Sequence, residues 1–220
     1  MKHTEKELQL IKDDVSQMWK LVLSQLEKAK QAFLSHNVEQ AMEVTSREKR
    51  VNAFELKIDS DSENYIALYS PVAVDLRLVL SLIKISNTLE RIGDFAEGIA
   101  RYVIEDDINN YPPQVIEELQ IENMFDTLIS MLSDSFVALE SENTRISGKI
   151  LIKDDEVDEL YHGSVDILSK HMQETPSFIR CGLKLFLLIR KLERIGDHCS
   201  NIVEEIVFYV DAKVLKHGGK

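Results

Sequence analysis

Apolar residues recur at spacings of three and four along almost the whole chain, which is the pattern typical of amphipathic α-helices. The first stripe consists of Leu8, Ile11, Val15, Met18, Val22, Leu26, Ala29 and Phe33. Asn37, followed by Gln40, resembles a capping box and predicts a second helix that runs to about Tyr69. The hydrophobic pattern therefore predicts long helices joined by short turns.

Two proline-containing turns and one linker separate the predicted helices in the rest of the chain. Ser70 and Pro71 predict the N-cap and first residue of a third helix, and residues 105–113 form an acidic linker with two prolines. The fourth and fifth apolar stripes are Ile121, Phe125, Leu128, Leu132, Phe136 and Leu139, and Val157, Tyr161, Val165, Leu168 and Met172. Thr175-Pro176 then opens a sixth helix, so the chain is predicted to be all-α.

A pentapeptide occurs twice, as Glu90-Arg91-Ile92-Gly93-Asp94 and as Glu193-Arg194-Ile195-Gly196-Asp197. The apolar positions around the two copies keep the same heptad phase, and the second and fifth helices also align with each other. This self-similarity indicates a duplicated three-helix unit. We expect six helices arranged as two pseudo-repeated antiparallel three-helix bundles, residues 1–110 and 111–220.

Each pentapeptide places a glycine in the middle of a helix. Gly93 and Gly196 cost about 1 kcal/mol each relative to alanine at such positions. Close approach of a neighbouring helix or ligand is the usual reason for accepting that cost, so we expect another group to contact the helix there.

The same motif aligns two carboxylates on one helix face. The Glu-x-x-x-Asp spacing of Glu90 and Asp94 separates them by about 6 Å along the axis, and Glu193 and Asp197 repeat this arrangement. The second helix offers acids on its inner seam, at positions where apolar residues are expected. That seam runs Ala41, Val44, Glu48, Val51, Glu55, Ile58, Ser62 and Tyr65.

The register of an antiparallel hairpin brings these acids to the same height, because facing residues lie at equal distances from the turn. The pairs placed side by side are Glu48 with Asp94, Asn52 with Glu90, Asp154 with Asp197, and Asp158 with Glu193. Unpaired buried carboxylates are costly, so such clusters must be protonated, neutralised by cations or bridged by metal. All-oxygen ligands suit Mg²⁺, Mn²⁺ and iron, and Zn²⁺ also accepts carboxylates. The eight residues therefore form two candidate metal sites.

Composition limits the classes of partner and compartment. The chain has 38 acidic and 26 basic residues, a net charge of −12, which disfavours binding to a phosphate backbone and hence to nucleic acid. No apolar run approaches the roughly 20 residues of a membrane-spanning helix, and the first residues show no signal-peptide pattern. Cys181 and Cys199 lie about 27 Å apart on one predicted helix and cannot pair with each other. We expect a cytoplasmic protein.

Four other residues carry weaker signals. His162 follows Glu159 with the spacing of di-iron ligands, but the first repeat has no matching histidine, so His162 is expected at the surface. His198 is next to Asp197 and is a minor candidate for an outer ligand. Cys199 and Trp19 occupy apolar stripes and are expected in the core.

Four segments of the chain closely resemble the PhoU family: Pro71–Arg77, Leu89–Asp94, Asp154–Tyr161 and Leu192–His198. The resemblance covers nearly the whole chain and implies a six-helix fold of two repeats with metal clusters on E(D)xxxD motifs. Carried over to this sequence, the ligands are Glu90 with Asp94, Glu193 with Asp197, and Asp154 with Asp158 on the facing helix. At Glu48 and Asn52 the second acid of the family pattern is missing.

The resemblance also implies a role in phosphate regulation rather than catalysis. PhoU-like proteins couple the ATPase of the phosphate ABC transporter to the cytoplasmic domain of a sensor histidine kinase. They repress phosphate-starvation signalling and restrain uptake when phosphate is plentiful. The resemblance implies a homodimer that reaches the membrane through its partners and is not an enzyme.

Two other functions remain open at this point. A di-metal carboxylate enzyme of the ferritin-like kind needs ligands from four helices around one centre. An accessory subunit of a different phosphate permease needs the same fold but another partner.

Overall fold

The computed structural model describes residues 3–105 and 111–214, and within these ranges it contains helices and turns but no strand. The seven α-helices are α1 (His3–Ser35), α2 (Val38–Tyr69), α3 (Ala73–Glu105), α4 (Pro113–Glu118), α5 (Ile121–Glu140), α6 (Ser147–Glu174) and α7 (Ile179–Asp211). The all-α prediction is confirmed. Most of the predicted linker, residues 106–110, lies outside the described residues.

The predicted number of six helices is wrong, because a short additional helix precedes α5. Residues Pro113–Glu118 form α4, with Pro112 at the N-cap position and Pro113 at the first helical position. Gln120 then adopts a left-handed conformation with φ of 50°, which ends α4 and starts α5 in a new direction. The two prolines were assigned to the linker, although proline is favourable in a first helical turn.

The helix ends differ in how well the sequence predicts them. Asn37 caps α2, since its Oδ1 accepts a hydrogen bond from the Gln40 N–H at 3.0 Å, as the capping pattern predicts. The N-cap prediction for Ser70 is wrong. Ser70 is left-handed, with φ of 45°, and its N–H donates to the Ile66 carbonyl at 3.1 Å, so it ends α2 instead. α3 therefore begins only at Ala73.

The long helices contact each other in two sets that are joined by a shared core. α1, α2 and α3 pack together, as do α5, α6 and α7, and the α3–α7 and α1–α5 contacts connect the sets. The buried side chains of both sets form one hydrophobic cluster. No helix in the described ranges has a stretch long and apolar enough to span a bilayer.

α3 and α7 run antiparallel along the junction between the two sets. Arg77 Nε donates to the Tyr209 carbonyl at 3.4 Å, and Ser81 Oγ donates to the Glu205 carbonyl at 3.2 Å. Further along α3, the ring of Phe95 stacks on His198 of α7 with a centroid distance of 5.7 Å. The pentapeptides of α3 and α7 therefore lie near each other at the centre of the molecule.

Candidate metal centres

Glu48 enters the interior from α2 and lies against the mid-helix glycine of α3. A methyl group built on Gly93 would lie 3.4 Å from Glu48 Oε2 and 3.4 Å from Val51 Cγ1. Glu48 itself is 8% exposed. A buried carboxylate from α2 thus lies against α3 at Gly93, which confirms that another group contacts the helix at this residue.

Three carboxylates converge at this point, as the hairpin register predicts. One oxygen each from Glu48, Glu90 and Asp94 lies within 4.8 Å of the other two. Burial of Glu48, together with the negative charges of Asp94, Glu97 and Glu90, raises its pKa to about 7. Burial and the neighbouring carboxylates also raise the pKa values of Glu90 and Asp94, while Arg91 opposes both shifts.

Buried oxygens in this cluster have no hydrogen-bond donor, which is the feature that best suits a metal ion. By distance and angle, neither carboxylate oxygen of Glu48 accepts a hydrogen bond, although Gln25 lies near enough to oppose the rise in the pKa of Glu48. Gln25 Oε1, from α1, is also buried without a donor. An ion that supplies positive charge and accepts oxygen ligands fits this set better than apolar packing does.

Arg47, which precedes Glu48 in the sequence, is engaged elsewhere. Arg47 donates to Ser24 Oγ at 3.2 Å and forms an ion pair with Glu43, to which Lys28 Nζ also donates at 2.8 Å. Glu48 therefore points inward, whereas Arg47 is held on the outer side of the α1–α2 pair. Within the described residues, no basic side chain forms an ion pair of 4.0 Å or less with Glu48, Glu90 or Asp94.

Asn52 lies away from the cluster, whereas Glu55 lies on the inner seam of α2 near it. Asn52, predicted as a fourth ligand, is exposed on α2. Glu55 is half-buried, and burial with the charges of Asp59 and Asp94 raises its pKa, so it lies in the electrostatic field of the cluster. The seam pattern of α2 contained this residue, but the hairpin pairing favoured Asn52 instead. Gln25 was also missed, although a polar residue within an apolar stripe was a signal for it.

The second repeat places Asp154 over its glycine even more closely. A methyl group built on Gly196 would lie 2.5 Å from Asp154 Oδ1 and 3.4 Å from Leu128 Cδ2. Asp154 Oδ2 accepts a hydrogen bond from Ser200 Oγ at 2.7 Å, and Ser200 is fully buried. Ser200 was not predicted as a site residue. It fixes the orientation of the Asp154 carboxylate relative to α7.

The other acids of the second repeat also approach each other. Burial and the charges of Asp197 and Asp158 raise the pKa of Glu193 to about 7, against the opposing effects of Arg194 and Arg190. Arg194 Nη1 lies 3.8 Å from Asp197 Oδ2, a long ion pair. Among the described residues, only the first cluster brings three acidic or metal-ligating side chains within 4.8 Å of one another.

Burial distinguishes the four residues with weaker sequence signals. Trp19 and Cys199 are fully buried and His162 is exposed, as predicted. His198 is 9% exposed and stacks on Phe95. Burial and the charges of Arg194 and Arg91 lower the pKa of His198 to about 4, so the imidazole is neutral at physiological pH.

The distribution of ligands over helices bears on the ferritin-like alternative. The first cluster uses side chains of α2 and α3, and the second set uses α6 and α7. A shared di-metal centre needs acids from four helices around one point, and this chain divides them between two hairpins. The geometry therefore favours two separate two-helix sites.

A comparison with protein families finds the PhoU domain twice in this chain, at residues 15–103 and 121–206. One match lies in each half of the sequence. Together the two matches cover most of the chain.

Curated relatives and solved structures that match this chain also carry the name PhoU. The phosphate-specific transport system accessory protein PhoU homolog of Aquifex aeolicus is 34% identical over 212 residues, covering 96% of this chain and 95% of that protein. The accessory protein PhoU of Escherichia coli is 34% identical over 213 residues, covering 97% and 87%. The crystal structure of PhoU from Pseudomonas aeruginosa matches with a TM-score of 0.90 at 28% identity, over 95% of this chain and 99% of that one.

Proposed function

Because this chain belongs to the PhoU family, we propose that it is a metal-binding adaptor that restrains phosphate uptake and phosphate-starvation signalling. It does so by linking the ATPase of a phosphate ABC transporter to the cytoplasmic domain of a sensor histidine kinase. The observation that carries the proposal is the match, along nearly the whole chain, to proteins named as accessory proteins of phosphate-specific transport.

The carboxylate clusters are the part of the structure that supports metal binding. Glu48, Glu90 and Asp94 hold the first ion, and Asp154, Asp158, Glu193 and Asp197 hold the second. Bound metal supplies positive charge that offsets the repulsion within each cluster and connects the two helices of each hairpin. Asp154 reaches its cluster because Gly196 carries no side chain, whereas Glu48 lies at ordinary contact distance, 3.4 Å, from the position of a methyl group on Gly93.

The remaining surface of the helices is available for partners. The adaptor acts in the cytoplasm as a homodimer, reaches the membrane through its partners and performs no catalysis of its own. The names of the relatives describe accessory and regulatory proteins, which agrees with this role. Metal sites at the helix hairpins hold the relative positions of the docking faces.

Two measurements on the same preparation test the proposal. Metal content is determined after purification without chelators, and binding to the separated transporter ATPase and kinase domains is measured by pull-down. We expect bound metal in the wild-type protein, reduced metal content in Glu48→Gln and Glu193→Gln, and binding of both partner domains.

The outcomes separate the alternatives. Absence of both metal and partner binding contradicts the proposal. Binding to the ATPase of a different phosphate permease, without binding to the kinase, supports the accessory-subunit function instead. Iron-dependent consumption of oxygen supports a di-metal enzyme.

A further inference from the structure

A groove of about 540 Å³ lies between the first half of α1 and the last half of α2, away from both carboxylate sets. Ile11 and Tyr65, which are buried, form its apolar floor. Leu10 and Leu68 stand on its sides with 54% and 73% of their surfaces exposed. The two exposed leucines and the buried floor line the same groove and give it its apolar surface.

The rim of the groove is acidic. Glu7, Asp13, Asp14 and Asp61 line it, with Lys57 as the one basic lining residue. Lys57 Nζ forms ion pairs with Asp14 and, at 3.1 Å, with Asp61, so its charge is already balanced within the rim. The groove therefore presents an excess of negative charge around an apolar floor, which is complementary to a basic and apolar partner.

The lining of the groove is long enough for a helix. It runs from Glu7 to Gln17 on α1 and from Lys57 to Tyr69 on α2, or about 15 and 18 Å. The anchor side chains of a docked amphipathic helix, at positions i, i+3 or i+4, and i+7, span about 10 Å. The groove therefore accommodates at least two turns of a partner helix.

The duplicated scaffold does not require this acidic and apolar surface. At the equivalent positions of α6, 106 residues later, Asp61 is replaced by Ile167 and Leu68 by Glu174. The fold therefore accommodates other residues at these positions. At these two positions, the acidic and apolar character of the groove is not repeated in α6.

We propose that this groove docks a basic amphipathic helix of a partner protein. The leucines and the floor take the apolar anchors of that helix, and the carboxylates on the rim contact lysine or arginine side chains on its flanks. This deepens the adaptor function proposed above by naming one of its docking surfaces, but it does not depend on metal binding.

The test uses the full-length chain and a fluorescent synthetic peptide of about 14 residues, with leucines at i, i+3 and i+7 and lysines at flanking positions. A scrambled peptide of identical composition has the same charge without the apolar face. Fluorescence anisotropy should give about tenfold weaker binding of the scrambled peptide, and both affinities should fall with added salt.

Matched double variants locate the binding site. Asp13→Asn with Leu68→Ser changes the groove, and Asp166→Asn with Val165→Ser makes the same kind of change on the exposed face of α6. All four residues are exposed, so neither variant is expected to unfold. The groove variant should bind the amphipathic peptide about tenfold more weakly, and the α6 variant should stay within about twofold of the wild type.

Three results would overturn the proposal. The first is equal binding of the amphipathic and scrambled peptides, and the second is an equal effect of the two double variants. The third is a change in oligomeric state caused only by the groove variant, which assigns the groove to a second copy of this chain. The groove variant should keep the wild-type metal content, so a failure here is distinguishable from a failure of the metal-binding proposal.

Discussion

At the scale of single residues, Glu48 is the side chain whose environment departs most from that of an ordinary surface acid. It is buried, it faces Asp94, Glu97 and Glu90, and its oxygens accept no hydrogen bond by distance and angle. Hairpin register predicted its inward position and its pairing with Asp94. Its pKa of about 7 required knowledge of how deeply α2 and α3 pack, which sequence spacing does not provide.

The raised pKa of Glu48 predicts a pH-dependent penalty in the metal-free protein. The folded pKa of about 7 exceeds the ordinary value of 4.5, so stability is lost as the pH rises from about 4.5 through 7. Glu48→Gln removes that charge and should unfold with a free energy about 1–3 kcal/mol higher than the wild type at pH 8. Urea titrations across this pH range provide the measurement.

Bound metal should make the wild-type protein more stable than Glu48→Gln, which reverses the order expected without metal. Saturating Mn²⁺ at pH 8 should stabilise the wild-type protein by mass action, whereas Glu48→Gln lacks one proposed ligand of the first site. If Glu48→Gln is less stable than the wild type without metal, the ionised Glu48 carboxylate does not destabilise the folded protein. The difference between the two proteins should disappear near pH 4.5.

At the scale of helices, both hairpins place a carboxylate against a mid-helix glycine, but they differ in the space beside that glycine. Gly93 and Gly196 both admit a carboxylate from the facing helix, but the space above Gly196 is much smaller. The repeated pentapeptide predicted a close approach at both positions. It did not predict that Ser200 holds Asp154 against α7, because Ser200 lies outside the repeated motif.

Alanine at the two glycines should therefore have different effects. The nearest atoms to a new methyl group at Gly93 lie at ordinary contact distance, so Gly93→Ala gains helix propensity and raises the free energy of unfolding by up to about 1 kcal/mol. At Gly196 the methyl group must displace Asp154 and disturb its hydrogen bond. Gly196→Ala should be less stable than Gly93→Ala by about 1–2 kcal/mol in urea titrations.

Ser200→Ala provides the control for this comparison, since it removes the hydrogen bond to Asp154 without adding a methyl group to the glycine. Similar stabilities for Gly93→Ala and Gly196→Ala would contradict the closer approach in the second hairpin.

Helix boundaries show what sequence patterns predict least well. The apolar stripes that begin at Leu8 and Ile121 predicted α1 and α5 closely, because burial of one face determines their extent. The left-handed residues Ser70 and Gln120 were not predicted, since neither is a glycine. They fix where α2 ends and where α4 separates from α5.

At the scale of the whole molecule, the two repeats share one hydrophobic core. Trp19, the only tryptophan, belongs to α1, yet its Nε1 donates to the Leu132 carbonyl of α5 at 3.1 Å. Its ring also lies 5.4 Å from that of Phe136. The duplication predicted two equivalent units, but their extensive junction depends on side chains that differ between the repeats.

The shared core predicts that both repeats unfold together. Trp19 fluorescence reports the junction and far-ultraviolet circular dichroism reports all helices, so their urea transitions should coincide. A fluorescence transition that precedes loss of helix, or a two-step loss of helix, would show that the halves unfold independently.

We propose that the two carboxylate sets bind metal in a regulator of phosphate transport. Anomalous diffraction from crystals of protein purified without chelators and supplied with Mn²⁺ tests it most directly. We expect one anomalous site beside Glu48, Glu90 and Asp94 and another beside Asp154, Asp158, Glu193 and Asp197, with metal–oxygen distances of about 2.0–2.3 Å. Absence of anomalous density at both sets, in crystals that contain the metal in their solution, would contradict it.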